Sequence, residues 1–143
     1  MATNRTKKQI EASADACADL ERMERINRIG LGIQVLGPTL SASLEMLGTL
    51  INEQMIAQGF WQSDNSAEKI ALMHSELSEA LEADRKDLTS DHIPDFSGIE
   101  EELADTLIRI LDFAAFHELR LGEAIVAKMH YNLSRPVMHG KKY

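Results

Sequence analysis

At 143 residues the chain is the size of one domain, long enough to bury a core without a disulfide or zinc staple. Fifteen Lys and Arg stand against 23 Asp and Glu, a net charge of −8, which argues against a general binder of nucleic-acid polymers or anionic membranes. The single cysteine, Cys17, excludes an intrachain disulfide and zinc sites built on several cysteines, and no apolar run is long enough to span a membrane. One cysteine suits a reducing, cytoplasmic setting, and the basic start, MATNRTKKQ, lacks the apolar core of a secretory signal. Three prolines and few β-branched runs lean towards helix.

Ile10 to Ile26 is rich in helix formers, with a modest apolar stripe through Cys17, Leu20, Met23 and Ile26. Gly30, Gly32, Gly37 and Pro38 then predict a loop or short extended piece over RIGLGIQVLG. The next helix is predicted from about Thr39 or Ser41 to Gln58, with Leu40, Leu44, Leu47, Ile51 and Met55 inward and Gly59 ending it. After the turn GFWQSDNS, Asn65 and Glu68 read as a capping box opening a helix to Lys86, with Ile70, Met73, Leu77 and Leu81 as its buried face. The polar break DLTSDHIPDF precedes a second capping box, Ser97 with Glu100. It opens a helix over about 98–118 whose inner face is Leu103, Leu107, Ile110 and Ala114. A last helix over about 121–134 stops before Pro136. The expected fold is all-α, a bundle of four to five helices. Residues 1–36 read as a partly helical N-terminal extension and residues 37–143 as the helical domain.

Charge is unevenly spread. Glu68 to Asp105 holds twelve acids and three bases, and Lys128 to Tyr143 four bases and no acid. In HSELSEALEA, Glu76 and Glu79 are three apart and share a helix face; in EEELADTLIRILD, Glu102 and Asp105 do the same, with Asp112 seven beyond. If the two helices pack antiparallel, four carboxylates converge. Like charges so close repel unless a cation lies between them. The absence of His and Cys from the cluster favours a hard divalent cation over zinc or iron, and the di-iron pattern of Glu-x-x-His is missing. A solvated acidic face with the same spacing is the plain alternative. Lys128, Asn132 and Arg135 line one face of the last helix, followed by Lys141 and Lys142. They suit either a phosphate grip or favourable cations at a helix C-terminus.

Glu76 and Glu79, a spacer of 22 residues, then Glu102 and Asp105, with the flanks KIALMHSELSEALEA and EEELADTLIRILDFA and the closing KMHYNLSRPVMHGKKY, resemble the MazG-like all-α nucleoside triphosphate pyrophosphatases over about residues 45–143. The resemblance implies a MazG-like bundle that hydrolyses a nucleoside triphosphate to the monophosphate and pyrophosphate. By the same resemblance Glu76, Glu79, Glu102 and Asp105 hold Mg²⁺ or Mn²⁺, with Glu76 and Glu79 catalytic and Glu79 as base. Lys128, Asn132 and Arg135 would contact phosphates, Asn52 and Trp61 would contact the base, and the chain would form a homodimer or homotetramer. Ile33, Val35 and Leu36 are apolar residues suited to covering a neighbour. Many relatives carry Glu where Ser75 stands, and its loss removes support that Glu101 or Asp112 could replace, unless these pair with Arg109. His74 reads as a core-edge or interface residue. Two rival readings remain: a non-catalytic homo-oligomeric helical interaction protein, and a phosphohydrolase acting on a phosphoribosyl nucleotide.

Overall fold

A computed structural model describes residues 4–136, with side chains from residue 16 onward apart from residue 17. The fold is all-α: α1 Asn4–Ala57, α2 Ser66–Lys86, α3 Gly98–Phe116 and α4 Leu121–Leu133. Among the described residues there is no strand, only an isolated bridge between Thr89 and Ser97. None of the described helices is long and apolar enough to cross a membrane. The chain divides into two compact units, Leu40–Gly122 and Met1–Thr39 with Glu123–Tyr143.

Within Leu40–Gly122, α2 and α3 form an antiparallel pair. Asn65 opens α2, its side chain accepting from the Glu68 N–H at 3.2 Å. Asp87, with φ 52°, ends it, and the N–H groups of Asp87 and Leu88 turn back to Ala83 and Asp84 carbonyls. Ser97 and Glu100 close both halves of the second capping box. The loop between is drawn tight by Ser90 N–H to the Phe96 carbonyl and Gly98 N–H to the Leu88 carbonyl. The buried Ser90 hydroxyl accepts from the N–H groups of His92 and Ile93. A Cβ on Gly98 would stand 3.0 Å from the Ala83 Cβ, so glycine lets α3 start hard against the end of α2. On α1, Gly48 gives the Leu111 carbonyl the same close approach, 3.1 Å from where a Cβ would be.

The buried faces differ from those the leucine periodicity predicts. On α2 the buried residues are Glu76, Ala80 and Ala83, while Ile70, Leu77 and Leu81 are about half exposed. On α3, Ala114 is buried and Ile110 half-buried as expected, but Thr106, Leu111 and Asp112 are buried too and Leu103 and Leu107 are exposed; on α1, Leu44, Ile51 and Met55 are half-buried as expected while Leu40 and Leu47 are exposed. The reason is steric. Small residues (Ala80, Ala83, Gly98, Thr106) line the contact, so the helices approach closely and the leucines are left flanking the seam.

The predicted loop at RIGLGIQVLG is helix instead, and α1 runs without a break through Pro38. The expected boundary at residues 36 and 37 therefore lies inside one helix. Glycines and a proline weaken an isolated helix, but packing outweighs propensity here. In this second unit Val126 Cγ1 lies 2.8 Å from where a Gly37 Cβ would be, and Leu133 Cδ1 3.5 Å from that of Gly30. The glycines, seven apart, thus meet residues seven apart on α4, running the opposite way. Ile33 on the same segment is buried, whereas Val35 and Leu36 are exposed.

Gly122, in the first unit, is the tightest contact. A Cβ there would fall 2.7 Å from both the Cα and the carbonyl oxygen of Ser41, backbone atoms that no side-chain rotation can move aside. Gly122→Ala is expected to lower stability by about 1–3 kcal/mol, read as a lower urea midpoint. An unchanged midpoint would mean that the two backbones do not meet.

Candidate metal centre

Antiparallel pairing brings the second half of α2 against the first half of α3. Glu76, Glu102 and Asp105 each present a carboxylate oxygen within 4.8 Å of the others. Glu76 is buried, Glu102 half-buried and Asp105 exposed, so the group runs from the helix seam out to solvent. Glu79 is not one of these three. It lies one turn further along α2, near enough for its charge to act on Glu102. Ser75, where a Glu was expected to supply support, donates its hydroxyl to Glu79 Oε1 at 3.0 Å and so steadies that carboxylate.

Electrostatics follow from this crowding. Burial pushes Glu102 above the ordinary carboxylate value, and the charge of Glu79 and the carboxyl of Glu76 push it the same way. Burial raises Asp105 too, helped by Glu76 and opposed by Arg109. Arg109 is the cation that sequence spacing did not assign to Glu76: its Nε donates to Glu76 Oε1 at 2.6 Å. Neither Glu101 nor Asp112 takes Arg109. Glu101 is held below the usual range by the Ser90 hydroxyl and then by His92, whose Nδ1 lies 2.7 Å from Glu101 Oε1. The same contact raises His92. His74 is exposed rather than at a core edge.

Asp112 anchors the other end of the site. Buried on α3, it accepts from Asn52 Nδ2 at 2.7 Å and from Trp61 Nε1 at 2.9 Å. Asn52 and Trp61, both predicted to contact a nucleotide base, are therefore brought together on one carboxylate. The Trp61 ring lies parallel to Phe116 with centroids 3.6 Å apart. The Lys69 ammonium sits 4.4 Å from its centroid while donating to the Phe60 carbonyl. Beside this network, Asp105, Arg109, Asp112, Lys69, Phe60 and Met55 line a cavity of about 120 Å³. The cavity shares Asp105 with the carboxylate group, and Arg109 joins the two. Lys69 is a wall residue that the acidic spacing does not nominate, although its place seven residues before Glu76 puts both on one face of α2.

In the other unit, Lys128 and Arg135 gather at one ring: Lys128 Nζ lies 4.5 Å and Arg135 Cζ 6.0 Å from the Tyr131 centroid. Asn132 is exposed on α4 and its carbonyl accepts from the Arg135 N–H. Lys141 and Lys142 lie outside the described residues. Comparison with protein-family models, curated proteins and solved structures finds no match to this chain.

Proposed function

We propose that the chain is a divalent-cation-dependent hydrolase that cleaves a nucleoside triphosphate, a deoxynucleotide or non-standard one by preference, to the monophosphate and pyrophosphate. The observation that carries this reading is the convergence of Glu76, Glu102 and Asp105 beside a cavity with two cations, Lys69 and Arg109, in its wall. The donor set fits the group: three carboxylates without His or Cys suit Mg²⁺ or Mn²⁺, which take oxygen ligands and retain sites for phosphate oxygens. The resemblance of the paired acidic motifs to MazG-like enzymes points the same way.

Glu76, Glu102 and Asp105 would hold the cation, with Glu79 completing the set. When bound, it offsets the polyphosphate charge and makes a bound water more acidic. The remaining work falls to the chain. Lys69 and Arg109 give the cavity positive charge for phosphate oxygens to meet. Glu79, exposed and held by Ser75 at the edge of this set, would also orient a water and take its proton. Asn52 and Trp61 act through Asp112, fixing the wall against which a base or sugar would rest. Lys128, Asn132 and Arg135 remain assigned to phosphate contact by resemblance. On that assignment Arg135→Ala raises KM about tenfold or more and leaves the melting temperature unchanged.

The test is a panel of ribo- and deoxyribonucleoside triphosphates, with damaged forms, assayed with Mg²⁺ for pyrophosphate. Release of pyrophosphate and monophosphate in equal amounts is expected. Release of orthophosphate, or activity confined to a phosphoribosyl nucleotide, would overturn the reading, and so would no turnover at all, as a non-catalytic interaction protein requires.

A further inference from the structure

We propose that His117 is a proton-operated latch that pins the turn between α1 and α2 onto the end of α3. Among the described residues, its Nε2 is the one buried side-chain nitrogen or oxygen without a hydrogen-bond partner. A buried polar atom left bare costs stability, so its presence calls for a reason. Asp64 supplies one. Its Oδ1 stands 3.5 Å from Nε2, outside the range of a strong hydrogen bond. A neutral ring offers that carboxylate at most an uncharged N–H, and in the other tautomer a lone pair that repels it. A protonated ring offers a charged N–H, which pairs with a carboxylate at about 2.7–2.9 Å. A movement of under about 1 Å closes the gap.

One partner is fixed and the other is free to move. His117 ends α3, with its N–H on the Phe113 carbonyl. Just beyond it, the N–H groups of Glu118 and Leu119 turn back to the Ala115 and Ala114 carbonyls, a reversal that places Glu118 at φ 54°. The imidazole is packed among Phe113, Phe116 and Trp61, with ring centroids 4.3, 5.2 and 6.0 Å away. Asp64 is 57% exposed, and the bond it accepts from the Ser66 hydroxyl is long at 3.4 Å. Closing the pair therefore draws the turn to the helix. The same turn carries Trp61, whose indole N–H lies on Asp112 in the cavity wall, so the latch sets how firmly that wall is held.

The surrounding charges favour a proton at this position. The rings packed on His117 come from α3 and from the turn. From the turn, Asp64 faces Nε2. On α3, the negative end of the helix dipole favours an imidazolium. Asp112, one turn and a half earlier, is occupied by Asn52 and Trp61, and Glu118 and Arg120 beyond the helix are exposed. From α2, the Lys69 ammonium sits over Trp61 while Phe116 stacks on that ring at 3.6 Å, so the indole separates Lys69 from Phe116. Imidazole is the side chain that changes charge between about pH 5 and 8. The latch is closed on the acid side of that range and open on the alkaline side. Its pairing with Asp64 exists only in the folded chain, so it adds stability while the ring is protonated and loses it as pH rises.

The full chain is unfolded in urea at about pH 5.5 and about pH 8, either side of the imidazole range. Asp64→Asn should raise the unfolding constant at least tenfold more at the lower pH than at the higher, about 1.4 kcal/mol. In a His117→Gln background the same substitution should act equally at both. His92, raised by Glu101, is common to all these proteins and cancels. Emission from Trp61, the only tryptophan, gives a second readout in the folded chain, because an imidazolium quenches a nearby indole. Wild type should show a step between the two pH values and His117→Gln none. Should His117→Gln fail to fold, the comparison of wild type with Asp64→Asn needs only an exposed residue changed. An Asp64→Asn effect equal at both pH values, one that keeps its pH dependence beside His117→Gln, or an emission step that survives His117→Gln would overturn the proposal. None of these outcomes bears on whether the chain hydrolyses nucleotides.

Discussion

Asp112→Ala is expected to lower stability by about 3–6 kcal/mol, through two hydrogen bonds to a buried carboxylate at about 1.5–3 kcal/mol each. Asp112 ties two other elements to α3. Asn52 brings in α1, and Trp61 brings in the turn between α1 and α2. Trp61 in turn keeps its stack on Phe116 and its contact with Lys69. Without the acceptor, the Asn52 amide and the indole N–H lose their partner in a half-buried setting. Asp112→Asn keeps one oxygen with two lone pairs, so its loss should be about half as large. Chemical denaturation followed by tryptophan fluorescence reads both the free energy and the environment of Trp61, the only tryptophan. A loss below about 1 kcal/mol for the alanine variant would show that the network does not join these elements.

Glu102→Gln is expected to change stability and activity in opposite directions. With divalent cations chelated, the variant should melt higher than wild type, because one of the repelling carboxylates is gone while the amide can still donate to Glu76. The sign follows from linkage. A carboxyl raised above its ordinary 4.5 in the folded chain contributes stability below 4.5 and loses it as pH rises through the raised value. Wild type should therefore fall progressively behind Glu102→Gln as pH climbs from about 4.5. Glu100 and Glu101, shifted the other way by Ser97 and Ser90, lose their contribution as pH falls. They are common to both proteins and cancel in the comparison. Activity should drop at least a hundredfold, the scale on which loss of one electrostatic stabiliser is felt. A variant that melts lower in chelator and keeps its turnover would contradict the reading of Glu102.

Local features were legible in the sequence and tertiary ones were not. Both helix starts, Asn65 with Glu68 and Ser97 with Glu100, were readable because a capping interaction spans three residues and needs no partner elsewhere. Periodicity located α2 and α3 and placed Ala114 inside, but it misassigned the leucines of both faces. A leucine stripe shows that a face will be covered without saying by what, and Ala80, Ala83 and Gly98 lie on the seam while Leu77, Leu81, Leu103 and Leu107 do not. The glycines before Pro38 read as a break because their partners, Val126 and Leu133, are some ninety residues or more away. At the site, the three-residue spacing within each acidic pair was enough to nominate Glu76, Glu102 and Asp105. Arg109 on Glu76, and Asn52 with Trp61 on Asp112, needed the packing of separate elements.

The central claim is that these acids share a cation, and the binding of Mn²⁺ to the metal-stripped chain tests it with no substrate present. Electron paramagnetic resonance of free Mn²⁺ during titration should show one saturable site in wild type and in Glu82→Gln, a residue outside the group. In Glu76→Gln and Glu102→Gln that site should weaken at least tenfold, about 1.4 kcal/mol. Equal uptake by all four proteins, or none by wild type at millimolar Mn²⁺, would leave the carboxylates a solvated rim.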